Sequence, residues 1–251
     1  MTNTEKIAII FDLDGTLIDT EKLYRIYWPK ALADYGYNLS DERALMLRSL
    51  GRPFSPAQFK EWYGEDFDYN LVRQRRKEYV EGHIEKYGLD LRPGVKEILD
   101  FLRNFNEDET QDKSQSTKTD NPKAFKKITV AIATATDLER TKKYLKMTGI
   151  DGYFTNIICA TMVEHGKPAP DIYEYACKTL KLPPENCFAV EDSPNGVKSA
   201  YAAGLKVIFI PDQAPAEDYI SEMIYANYPI ISDIKKLIMD QGDGVPGPFS
   251  Q

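Results

Sequence analysis

Ile7-Ala-Ile-Ile-Phe11-Asp12-Leu13-Asp14-Gly15-Thr16 decides how this chain is read, because an apolar run suited to a buried strand ends in two carboxylates and a glycine turn. Side chains alternate faces along an extended chain, so Asp12 and Asp14 fall on one side and Leu13 on the other. Two carboxylates on one side of a strand end make a hard-cation site. An acidic surface turn would account for Asp-Gly alone, but the rest of the chain supplies the other parts such a site needs.

Working outward, Ile128-Thr-Val-Ala-Ile-Ala-Thr134, Cys187-Phe-Ala-Val190 and Lys206-Val-Ile-Phe-Ile210 are short, nearly continuous apolar runs. Such runs suit strands covered on both faces, and Ile157-Ile-Cys-Ala160 is a weaker one. Helical patterns at 136–147, 169–180 and 194–203 separate them. The alternation predicts an α/β core of three layers, a central parallel sheet with helices on both faces. Thr136-Asp-Leu-Glu139 fits a capping box, with Gly149 at the far end of that helix. Ser193 and Pro194 offer an N-cap and a first-turn proline, and Gly204 closes the helix that follows. Both helices begin directly after a strand, at the edge where open α/β sheets place ligands.

Residues 19–88 differ. Leu23, Ile26, Tyr27 and Ala31 repeat at helical spacing and no buried strand is visible, which predicts a helical insert after the first strand. Pro29 should kink its first helix or delay the helix start. The core resumes at Leu91-Arg-Pro-Gly-Val95 and leads into a helix over 96–103. The expected domains are a discontinuous core, 1–18 and 89–251, and an all-helical insertion, 19–88. The stretch 106–122 is almost wholly polar and is expected to be a mobile surface loop. The tail 242–251 is expected to fray.

Composition narrows the function. The 251 residues are 42% hydrophobic and 28% charged, enough for a sizeable core. A net charge of -7 argues against a broad footprint for nucleic acid or an anionic membrane, so any phosphate handled is small and met locally. No apolar run approaches the roughly 20 residues of a membrane span. The N-terminus enters the first strand without a secretory leader pattern. Cys159, Cys177 and Cys187, odd in number and without C-x-x-C spacing, read as reduced thiols, and the expected location is cytoplasmic. His83 and His165 are the sole histidines and lie far apart in sequence, which argues against a histidine-rich zinc site.

Three further elements complete the first pair. Thr134, at a strand end, offers a hydroxyl and Ala135 an amide for a phosphate oxygen. Gly166-Lys167-Pro168-Ala169-Pro170-Asp171 presents an ammonium on a proline-stiffened loop, able to neutralise both a phosphate and the nucleophile approaching it. Glu191-Asp192 places a second acidic pair at another strand end.

With these motifs in order, the chain resembles the haloacid dehalogenase superfamily, within it the beta-phosphoglucomutase-like phosphatases that carry a helical cap after the first strand. The resemblance covers essentially the whole chain and rests on Asp12-Leu-Asp14-Gly-Thr16, Thr134, Lys167 and Glu191-Asp192. It implies a Rossmann-like core with an inserted helical cap, and a phosphatase acting through an aspartyl-phosphate. Asp12 would be the nucleophile, and Asp14 the acid for the leaving alkoxide and then the base for water. Mg²⁺ would be held by Asp12, the Asp14 backbone carbonyl, Asp192 and Glu191, the last directly or through water.

Asp14 disfavours dehalogenation, and no cap lysine is identified for phosphonate hydrolysis. Tyr24 stands where the related mutases have a histidine, and Thr16 where they carry a branched apolar residue, so water is the expected acceptor. Arg75 aligns with a phosphate-contacting cap lysine of the mutases and keeps a phosphosugar mutase as the runner-up. A catalytically silent sensor or partner-binding member is the third reading, disfavoured because every catalytic carboxylate is retained. Arg52, with Tyr24, is the candidate contact to the leaving group, and Arg73, Arg75 and Arg76 read as a solvated helix face. The expected partner is a small phosphorylated metabolite, a sugar phosphate or nucleotide, handled by a monomer or weak homodimer.

Overall fold

The computed structural model describes residues 6–49, 55–107, 127–212 and 218–239, which form two compact units, 1–17 with 91–251 and 18–90. The first is built on a six-stranded parallel sheet: β1 (Lys6–Phe11), β2 (Lys127–Thr134), β3 (Asn156–Cys159), β4 (Cys187–Glu191), β5 (Lys206–Phe209) and β6 (Ile224–Asn227). Their order is β3-β2-β1-β4-β5-β6, so the opening apolar run lies near the middle of the sheet. Phe11 is level with Ile132 on β2 and Val190 on β4, which brings three strand ends to one edge.

Burial explains why these runs are strands. Ile7, Ile9, Ile10 and Phe11 are buried almost completely, each contributing about 1.5–3 kcal/mol of apolar transfer. Ala8, Ala131, Ala133 and Ala189 are small, and they share a core with Ile172, Tyr173 and Ala176 of α7 (Asp171–Leu180) and Val197 and Ala200 of α8 (Pro194–Ala202). The remaining helices of the unit are α5 (Val95–Glu107), which packs on β2, α6 (Leu138–Thr148), α9 (Asp218–Ser221) and α10 (Ile234–Met239), which packs on α5.

Some sequence expectations need correction. β6 was not read as a strand; it is a short edge with half-buried positions and an irregular register. Asn106 and Glu107 belong to α5 rather than to a polar loop, and the Asn106 amide pairs with both backbone groups of Ile128 at 2.8 and 3.0 Å. Residues 108–122 and the tail lie outside the described residues. The N-cap of α6 is Asp137, which accepts from Arg140 N at 3.0 Å, because the Thr136 hydroxyl is used elsewhere.

The second unit is wholly helical among its described residues: α1 (Thr20–Ala33), α2 (Asp41–Ser49), α3 (Ser55–Tyr63) and α4 (Tyr69–Tyr87). Its core is aromatic, with Phe59 fully buried and its ring 4.9 Å from Trp28, 5.3 Å from Phe67 and 5.4 Å from Tyr69. Pro29 does not delay α1, which begins at Thr20 and runs through it. The helix forgoes one hydrogen bond there, while Trp28, Ala31 and Leu32 on either side are buried. No described helix is long and apolar enough to cross a membrane.

Candidate active site

In the sheet order, the chain moves outward from β1 through β2 to β3 and then in the other direction from β4 to β6. The carboxyl ends of β1 and β4 therefore flank the point where the winding reverses, which is where open α/β sheets bind ligands. Asp12 follows β1 and Glu191 ends β4, and Asp12 N donates to Val190 O at 3.0 Å. Gly15, at φ 85°, makes the turn after Asp14, and a Cβ there would strike the Asp192 carboxyl. Without a side chain at Gly15, Asp192 comes close enough to accept from Thr16 Oγ1 at 2.8 Å.

Lys167 enters from the loop before α7. That loop is tight: Ala169 N donates to Gly166 O at 3.0 Å, Asp171 Oδ2 accepts from His165 N at 3.1 Å, and Ser199 Oγ of α8 donates to Ala169 O at 2.6 Å. The result is an ammonium donating to Asp12 Oδ1 and Glu191 Oε1, each at 2.6 Å, and to Ala133 O at 2.9 Å. Glu191 is fully buried, and Asp12 and Asp192 nearly so. One oxygen from each of Asp12, Glu191 and Asp192 lies within 4.8 Å of the others.

The electrostatics follow from burial. Loss of water pushes the Asp12 carboxyl up to about 7, Lys167 opposes that rise, and Glu191 and Asp14 add to it. Burial alone would lower the Lys167 ammonium, but Asp12 and Glu191 outweigh it and hold the group charged. Three carboxyl groups around one ammonium line the space with hard oxygen donors. That donor set suits a divalent cation such as Mg²⁺ or Ca²⁺ rather than a soft metal.

Thr134 is buried at the end of β2, where its Oγ1 accepts from Thr136 N at 3.0 Å, and Ala135 beside it is exposed. Thr16 is fully buried, and its hydroxyl goes to Asp192. That hydroxyl orients a carboxylate. Tyr24 is in α1 of the helical unit, with the Arg76 guanidinium 4.4 Å from its ring centre. Arg52 lies outside the described residues.

In the arginine run, Arg75 lies on the solvated face expected of it and Arg76 does not. Arg76 is partly buried over Tyr24 and Trp28, its Nε has no hydrogen-bond partner among the described residues, and burial lowers its pKa. Arg75 is tied to Asp34 at 2.6 Å and Glu78 at 3.1 Å.

Three site residues escaped the sequence reading. Thr136 Oγ1 donates to Asp14 Oδ2 at 2.7 Å, Tyr173 OH donates to Glu191 Oε1 at 2.6 Å, and Ser193 Oγ lies 3.3 Å from Glu191 Oε2. Thr136 reads from sequence as a helix cap, Ser193 caps α8 and Tyr173 stands on an apolar helix face, so each has a local explanation that hides its longer-range partner. A fully buried tyrosine hydroxyl is itself a signal, since it needs a partner.

Comparison with known proteins agrees with this arrangement. A family model described as haloacid dehalogenase-like hydrolase matches residues 8–204. The chain is 27% identical over 210 residues to a phosphorylated carbohydrates phosphatase of Thermotoga maritima, covering 80% of this chain and 83% of the relative. Among solved structures, a mutant CbbY of Rhodobacter sphaeroides in complex with xylulose-(1,5)bisphosphate shares its fold, with a TM-score of 0.67 at 24% identity over 90% of this chain and 95% of that one. The beta-phosphoglucomutase of Clostridium difficile does so with a TM-score of 0.68 at 19% identity, over 93% of this chain and 95% of that one.

Proposed function

Starting from the fact that the chain belongs to the haloacid dehalogenase-like hydrolases, we propose that it is a magnesium-dependent phosphatase of small phosphate monoesters, with phosphorylated sugars the first class to test. The observation that carries this reading is the Lys167 ammonium held between Asp12 and Glu191 beside Asp192. The 27% identity to a phosphorylated carbohydrates phosphatase supports the substrate class.

Asp12 attacks phosphorus and carries the phosphoryl group as an aspartyl-phosphate. Asp14, held by Thr136, protonates the departing alkoxide and then takes a proton from the water that hydrolyses the intermediate. Lys167 offsets the charge of nucleophile and phosphate together. Thr134 accepts its local hydrogen bond through Oγ1, so its own proton serves a phosphate oxygen along with the Ala135 amide. Asp12, Asp192, the Asp14 carbonyl and Glu191, the last directly or through water, would hold Mg²⁺, which when bound supplies positive charge against the anionic nucleophile and substrate.

The resemblance implies that residues 19–88 serve as a cap that selects the leaving group and excludes water, with Tyr24 and Arg52 the positions to vary first. Tyr24 and Thr16 favour water as the acceptor, and Arg75, which keeps a phosphosugar mutase as the second reading, is paired with Asp34. A panel of phosphorylated metabolites, assayed for inorganic phosphate with Mg²⁺ and with chelator, tests the proposal. Release that stops in Asp12→Asn and in chelator is the expected result; no release from any member of a broad panel would overturn it.

A further inference from the structure

Tyr173 sits six residues after Lys167, fully buried in α7, and its hydroxyl donates to Glu191 Oε1 at 2.6 Å. The same oxygen accepts from Lys167 Nζ at 2.6 Å, and Nζ lies 5.2 Å from the centre of the Tyr173 ring. A carboxylate oxygen has two in-plane lone pairs, and here both are taken. Ser193 lies against the other oxygen, and the first turn of α8 approaches so closely that a Cβ on Gly196 would fall inside the Glu191 carboxyl. Glu191 is therefore fixed at both oxygens and along its flank.

The phenol ring alone would fill the space among Ile172, Ala176 and the strands. The hydroxyl adds nothing to that packing, and Glu191 is the partner that accounts for it. We infer that Tyr173 is a positioning residue of the active site: its hydroxyl holds Glu191 in the one orientation that keeps Lys167 between Glu191 and Asp12 and the acidic cluster preformed for its cation. This rests on the phosphatase reading above and extends it to a residue outside the four motifs. Without that hydroxyl Glu191 rotates toward Lys167 alone, and the cluster no longer presents a fixed set of oxygens.

Tyr173→Phe in the full chain tests the inference. Mg²⁺ binding measured by calorimetry without substrate should weaken about tenfold, as for loss of a hydrogen bond that orients a ligand. The same variant should lower kcat by a similar factor with a smaller change in KM. Its melting in chelator should fall by only a few degrees, as for loss of one hydrogen bond to a buried carboxylate, because the ring and its packing remain. In the Glu191→Gln background the same substitution should have little further effect on Mg²⁺ binding, since Tyr173 acts through that carboxylate. A Tyr173→Phe protein with unchanged Mg²⁺ affinity and kcat overturns the inference, as does an effect that persists in full in Glu191→Gln. Wild-type protein that binds no Mg²⁺ and turns over no phosphate ester overturns the phosphatase reading itself.

Discussion

Gly196→Ala is a substitution for which helix propensity and the active site predict opposite signs. Gly196 lies in the first turn of α8, where its N–H donates to Ser193 Oγ at 3.1 Å. Its backbone has no positive φ, so propensity alone favours alanine there by about 0.8–1 kcal/mol. The added methyl, however, would occupy the space of the Glu191 carboxyl. Glu191 has no solvent to retreat into, and moving it breaks its contacts with Lys167 and Tyr173. Disrupting one partner of a buried ion pair costs roughly 3–5 kcal/mol. Set against the helix gain, the expected net loss is about 2–4 kcal/mol, which corresponds to a fall of roughly 5–15 °C in melting temperature for a chain of this size.

Gly82→Ala supplies the control, since that glycine is in α4 with nothing within 4 Å of its built Cβ. It should stabilise by about 0.5–1 kcal/mol. Urea and thermal melts of both variants in chelator, with phosphate release measured alongside, give the comparison. Gly196→Ala as stable as Gly82→Ala, with activity intact, would refute the claim that Glu191 is immovable.

Lys167→Met should remove turnover and destabilise metal-free protein by about 3–5 kcal/mol, because it leaves Asp12 and Glu191 buried without their shared cation; urea melts in chelator check this. Thr136→Val keeps the shape and deletes the donor to Asp14, so kcat should fall about tenfold or more, and steady-state assays at saturating Mg²⁺ read it. In the helical unit, hydrogen bonds from Arg75 and Tyr79 lower the Asp34 pKa below its ordinary 3.8. A depressed folded value means stabilisation that is complete above the unfolded pKa and lost as pH falls through the folded one. An acid titration followed by near-ultraviolet circular dichroism should thus show a weaker acid limb in Asp34→Asn than in wild type; identical limbs would show that the pair contributes nothing.

The core was legible because its strands are covered on both faces and so appear as unbroken apolar runs, and β1, β2 and β4 end where a polar residue enters the site. β6 escaped because an edge strand covers only part of its surface, and Ile-Tyr-Ala-Asn carries no pattern strong enough to stand out. The carboxylates and Lys167 stood out as charges placed against hydrophobic sequence. Thr136 and Tyr173 did not, because their roles depend on partners 122 and 18 residues away. Composition could not separate Arg75 from Arg76 either: one is tied to surface carboxylates and the other lies over aromatic rings.

The route into and out of the helical unit bears on how such an enzyme changes over time. Arg92 N donates to Leu17 O at 2.9 Å, and Asp19 N donates to Asp90 O at 3.0 Å, so the departing and returning chain run side by side. Residues 18–90 thus leave and return at neighbouring backbone positions. A change of length between those positions need not disturb the pairing of β1 with β2 and β4. On the function proposed above, selection can alter which molecule is recognised while the phosphate chemistry keeps its register.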